Sequence, residues 1–117
     1  MPHMQKTAEM EQCISDCLDC ASICIETVAH CLEMGGAHAA PEHILLLLDC
    51  AEICLTSTDF MVRGSALHGR VCEVCAEACR RCADSCEALA ADDPEMQRCA
   101  DACRRAAASC ERMAAAA

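Results

Sequence analysis

The residues with the most chemistry in them are fifteen cysteines in a chain of 117, and they are not scattered. The stretch VCEVCAEACRRCADSC, residues 71–86, holds five of them, spaced three, four, three and four apart. Cys13, Cys17, Cys20 and Cys24 follow C-x3-C-x2-C-x3-C, and so do Cys75, Cys79, Cys82 and Cys86. The same frame holds Cys99, Cys103, Ala106 and Cys110 near the C-terminus, and Cys50, Cys54, Ser57 and Met61 in the middle. Its neighbours rhyme too: CAEIC at 50, CAEAC at 75 and CADAC at 99. With Cys31 and Cys72 set just outside their frames, one unit is written four times.

Several chemistries use thiols, and the spacing sorts them. A single core cysteine is a small buried hydrophobe, but fifteen in register ask for more. Disulfides fit poorly, because cysteines three or four apart on a helix point the same way and the count is odd. A twin C-x9-C hairpin would be the disulfide alternative, and only Cys72 and Cys82 match that spacing. Zinc takes four thiolates and leaves net negative charge, so a row of such sites would bury a large uncompensated charge. The C-x2-C-x2-C run of iron–sulfur proteins is absent. Soft thiolates also select Cu(I), which accepts two or three sulfurs and shares them with neighbouring ions. Near one copper per cysteine the filled row approaches neutrality, and multiple Cu(I) ions are the expected cargo.

A row of donors needs elements to hold it. Gly35-Gly36 closes a first segment and Pro41 opens a second; Gly64-Ser65 separates the second from the third, with Ser65 as its N-cap. Asp92-Asp93-Pro94-Glu95 reads as an N-cap, a proline at the first helical position and an acidic first turn. The spacing predicts helices near 5–34, 41–63, 65–90 and 94–114, the first starting after Pro2 or Thr7. At roughly 100° per residue each set of cysteines falls on one face. Its mean spacing is that of an a/d seam. The expected fold is all-α: one domain over 1–117, an antiparallel up-down-up-down four-helix bundle with thiols lining its axis.

Extended outward, the seams change donor. They run to Met10 and to Met34 on the first helix, and from His43 to Met61 on the second. The third begins near His68, and the fourth spans Met96 to Met113. Thioether sulfur is a soft, neutral and weaker ligand, suited to passing an ion inward. Met10, Met34, His43, Met61, His68, Met96 and Met113 are therefore candidate uptake ligands, with His3, His30 and His38 ranked below them.

Composition sets the outer limits. One Phe, no Trp and no Tyr leave Ala and Cys to build the centre, so helices approach closely or cargo fills the space. The 19 acidic against 9 basic residues argue against nucleic acid and against anionic membranes as partners. The longest apolar run, ILLLL at 44–48, is too short to span a bilayer. No N-terminal export signal is legible, which predicts a cytoplasmic protein with reduced thiols. No nucleophile–base pair stands out, and the chain is expected not to be an enzyme.

The four C-x3-C frames, spread over nearly the whole chain, resemble the copper storage proteins, in particular their cytosolic branch. The resemblance implies a homotetramer of four-helix bundles, each filling its core with thiolate-bound Cu(I); a copper chaperone is a candidate partner. All fifteen cysteines would be ligands. Pairs four apart, Cys13/Cys17, Cys50/Cys54, Cys75/Cys79 and Cys99/Cys103, would each clamp an ion, with Cys31 and Cys72 extending the column to opposite ends. Ser57, Met61, Ala106 and Thr27 interrupt the pattern. The alternatives are a zinc- or cadmium-sequestering metallothionein-like protein and a thiol–disulfide redox protein.

Overall fold

The computed structural model describes residues 6–116. Four helices account for most of it: α1 Ala8–Met34, α2 Pro41–Val62, α3 His68–Glu87 and α4 Pro94–Ala116, with a 3-10 turn at Gly36–Ala39. No strand occurs among the described residues. Each helix packs against the one before and the one after it, and α4 closes the ring on α1. The result is the expected up-down-up-down bundle, 54 Å long and about 19 Å across.

Local chemistry sets the ends. Thr7, not Pro2, starts α1: its Oγ1 accepts the Met10 N–H at 3.1 Å. Pro2 and residue 5 lie outside the described residues. Gly35 closes α1 with φ 70°, a left-handed value that costs glycine little. Asp93 caps α4, its Oδ1 accepting the N–H groups of Glu95 and Met96, with Pro94 at the first helical position.

The third helix departs from expectation. Ser65 does not cap it; α3 begins at His68. Gly64, at φ 65°, turns the chain first, and Ser65 serves that turn. Its Oγ accepts from Leu67 N, and its carbonyl accepts from His68 N and from His68 Nδ1. At the other end α3 stops at Glu87 instead of 90, because Leu89 and Ala90 bond three residues back, to the Cys86 and Glu87 carbonyls, and turn the chain toward Asp92 at φ 61°.

The core is built from small side chains. Every cysteine is fully buried, and Ala21, Ala51, Ala76, Ala83, Ala100, Ala106 and Ala107 flank them. Among the described residues, only Leu47, Met61 and Met96 are large and wholly enclosed. Cross-helix ion pairs, Arg80–Glu111, Arg98–Glu26 and Arg104 with Asp84 and Glu87, decorate the exposed faces and add little each.

Candidate metal centre

The seams meet as a column. All fifteen cysteines are free thiols, and their sulfurs interlock across helices. Cys110 Sγ lies 3.6 Å from Cys13 and 3.5 Å from Cys17. Cys54 lies 3.7 Å from Cys75 and 3.6 Å from Cys79. In the middle, Cys103 approaches Cys20, Cys24 and Cys50 at 3.7, 3.8 and 3.9 Å. Cys50 continues to Cys79 at 3.6 Å, and Cys24 to Cys99 at 3.9 Å.

Donor sets follow from these contacts. Cys20, Cys50, Cys54 and Cys79 form one, within 4.8 Å of one another; Cys20, Cys24, Cys50 and Cys103 form the next, and Cys24, Cys82, Cys99 and Cys103 a third. Cys13, Cys17 and Cys110 make a trio, as do Cys17, Cys54 and Cys75. Neighbouring sets share members, so an ion in one set has a sulfur in common with the next. The four pairs singled out by spacing all stand close, Cys75 and Cys79 at 4.0 Å and the others inside these sets. Most of the short contacts are between helices, which spacing along one helix does not reveal.

Cys72 and Cys31 occupy opposite ends, in different company. Cys72 sits beside Cys110 and Cys13 and is continuous with the column. Met61 and Met113 are buried in the same core, with Met10 packed at its edge. His68, half-buried, donates Nδ1–H to the Ser65 carbonyl, which leaves Nε2 as its lone-pair nitrogen. Cys31 stands apart: Thr27 takes the seam position between it and Cys24 and turns its hydroxyl onto the Ile23 carbonyl at 2.7 Å. Its partners are His43 Nε2 at 3.4 Å and Met96 Sδ at 3.6 Å.

His43 Nδ1 is 2.6 Å from Ser85 Oγ. With its proton on Nδ1 and donated there, Nε2 presents a lone pair to the Cys31 site, the form a metal ligand needs. Burial, then the nearby His38, lower its pKa and keep it neutral. Ser85 lies on a different helix and carries no sequence signal for this role.

Met34 does not join the axis; it is 55% exposed. It lies about 60° of helix rotation from the Cys31 position, on the last residue of α1, and so faces water. Ser57 is at its expected frame position and fully buried, but its hydroxyl has no partner, alone among buried side-chain N and O atoms of the described residues. His30 and His38 lie outside the column, both against Asp93. His3 lies outside the described residues.

Protonation differs along the column. Cys110, then Cys13, place thiol hydrogen bonds on Cys17 and lower its pKa to about 6. Cys103, then Cys24, do the same for Cys20, whereas Cys24, Cys54, Cys103 and Cys110 are raised, so low and high thiols stand side by side in the column. Burial, with the negative charge that Cys99 would carry, pushes Cys31 up to about 11. At the far end a hydrogen bond from Cys110 lowers Cys72, but Cys13 and burial outweigh it and raise it to about 12.

Comparison with known proteins agrees with this geometry. The family described as "Copper storage protein" matches residues 6–115. A crystal structure of Nmul_A1745 from Nitrosospira multiformis is 43% identical, with a TM-score of 0.87 over 93% of this chain and 97% of its own. The Cu(I)-bound copper storage protein BsCsp3, of Bacillus subtilis, is 33% identical, with a TM-score of 0.83 over 91% and 98%. A cytosolic copper storage protein from Streptomyces lividans, solved with five coppers, is 28% identical, with a TM-score of 0.85 over 92% of both chains. Fifteen buried thiols on four aligned seams, in a fold shared along nearly its whole length, place this chain in the copper storage protein family.

Proposed function

We propose that this protein stores Cu(I), several ions at a time, as thiolate clusters along the bundle axis. The observation that carries this is the sharing of sulfurs between neighbouring donor sets. A zinc store keeps four donors on each ion and leaves its thiolate clusters anionic, even where sulfurs bridge. Here Cys20, Cys24, Cys50 and Cys103 each belong to two sets at once, which suits low-coordinate ions bridged by common thiolates. Cu(I) at a ratio near one per thiolate also leaves little net charge in a dry core. A redox role has less support: all fifteen cysteines are free and fully enclosed, with no exposed thiol to attack a disulfide.

Anaerobic titration with Cu(I) from a buffered chelator tests the reading. Saturation well above one copper per four thiols is expected, with nearly all thiols of the metal-free protein free in a rapid count. Saturation near four thiols per metal, or a large oxidised fraction, would overturn it.

The finer features follow from the same proposal. Copper is admitted at the Cys31/His43/Met96 end, where weaker neutral donors precede the thiol column. The protein holds its cargo without transforming it, works in the cytosol and exchanges copper with a chaperone. It assembles as a homotetramer. Supporting this, Leu18, Ile25 and Leu32 on α1 and Leu48, Leu55 and Val62 on α2 are exposed. Each trio repeats every seven residues, which makes one apolar stripe per helix.

A further inference from the structure

At the Cys31 end, but outside the column, three donors from separate segments converge. His30 on α1 and His38 in the 3-10 turn both direct Nε2 at one oxygen, Asp93 Oδ2, at 3.0 and 3.1 Å. The two rings meet edge to face, with centroids 6.1 Å apart. Asp93 is 9% exposed, and its other oxygen is fixed by the Glu95 and Met96 N–H groups, so Oδ2 is aimed at the histidines. Backbone bonding and both imidazoles hold its pKa below the usual range, His30 foremost, so it stays a carboxylate.

We propose that His30, His38 and Asp93 form a second metal site, for a divalent first-row transition ion such as Zn2+, distinct from the Cu(I) column. Tetrahedral ligands bonded at 2.0–2.1 Å stand about 3.3 Å apart. The two distances from Asp93 Oδ2 to the imidazole nitrogens need to open by only a few tenths of an ångström to reach that value. Each ring then carries its proton on Nδ1 and gives Nε2 to the metal. Two imidazoles and a carboxylate are borderline-to-hard donors, unlike the soft sulfurs of the column, and they select divalent ions. The side chains of His30 and His38 keep 25% and 17% exposure, which leaves room for water in the remaining coordination positions. An ion here would pin the α1 end, the 3-10 turn and the start of α4 together beside the Cys31 opening.

The test uses the protein already saturated with Cu(I), so that thiols are occupied, and adds Zn2+ in anaerobic equilibrium dialysis. One further equivalent of zinc per chain is expected to be retained. His38→Gln and Asp93→Asn should each weaken that binding at least tenfold, while copper capacity stays unchanged. Asparagine is itself a good N-cap, so Asp93→Asn keeps the start of α4, and His38→Gln changes only the short turn. Co2+ substituted for zinc should show visible d–d bands without sulfur charge transfer. No retained zinc, equal retention by both variants, or a sulfur-ligated cobalt spectrum would overturn the proposal. The difference between wild type and His38→Gln reads the site even if the thiols take up zinc themselves.

Discussion

The middle of the bundle and its Cys31 end use similar atoms for different work. In the middle, Cys103 has three sulfurs within 4 Å, and every set shares thiols with the next. At the Cys31 end there is one thiol, one imidazole and one thioether, separated from Cys24 by a threonine. Shared thiolates multiply capacity, because removing one disturbs several ions. A mixed and isolated trio adds little capacity, but neutral donors release an ion readily. On the proposed reading, the middle stores and the Cys31 end, built from α1, α2 and α4, passes ions.

The largest expected effect tests the capacity half of that comparison. Cys103→Ala should lower the Cu(I) number at saturation by two or more per chain, because its sulfur belongs to two donor sets. Cys31→Ala should cost one at most. Titration of both proteins against the same chelator decides, and equal losses would erase the distinction between middle and end.

Traffic is tested by rate. His43→Ala and Met96→Ala should slow Cu(I) uptake from a weak chelator about tenfold, the lower range for disturbing a metal ligand shell. Their endpoint should stay within one copper of wild type. Stopped-flow transfer under argon measures both, and an unchanged rate would move uptake to the Met61/Met113 end. Met34→Ala, facing solvent, serves as the control with no expected change.

Protons sharpen the contrast further. Each thiol gives up its proton on binding copper, so falling pH opposes binding wherever the thiol is otherwise protonated. Cys31, raised to about 11, pays this competition in full at neutral pH. The column mixes its thiols: Cys17 is lowered to about 6, while Cys24, Cys54 and Cys103 are raised. Copper at the Cys31 trio, held by a single thiolate and two neutral donors, should dissociate at a higher pH than copper shared among several thiolates of the column. An acid titration of the loaded protein, with wild type compared to Cys31→Ala, should lose its first phase in the variant.

The sequence announced faces more clearly than registers. A three-four rhythm states which side of a helix is enclosed, and all fifteen cysteines are buried as that rhythm requires. It contains nothing about axial offset between antiparallel helices. Thus the approach of Cys110 to both Cys13 and Cys17, or of Cys54 to Cys75, had to come from packing. Met34 was misplaced because periodicity was carried to the last residue of α1, where the angular drift leaves the seam. The start of α3 was misplaced because Ser65 has the chemistry of a cap, and a left-handed Gly64 used it in the preceding turn. His30, His38 and Asp93 come from three segments with no common spacing, and only the fold brings them together.

The smallest expected effect concerns a place where the middle of the column is imperfect. Ser57 holds a cysteine position on α2, yet its buried hydroxyl has no partner. An unsatisfied buried hydroxyl costs about 1–3 kcal/mol. Ser57→Ala leaves a void smaller than a methyl group, so the lost penalty should dominate. The metal-free variant should melt higher, by roughly 4 °C if about 1 kcal/mol is recovered. Copper capacity then separates two roles for the same atom. If the hydroxyl is only an interruption in the frame, capacity is unchanged and the gain in melting temperature persists on loading. If it is an oxygen donor facing the cargo, Ser57→Ala binds fewer ions and the advantage shrinks as copper is added. The unbroken sulfur contacts from Cys50 to Cys79 and from Cys54 to Cys75 already bridge α2 to α3 without it, so the first outcome is expected.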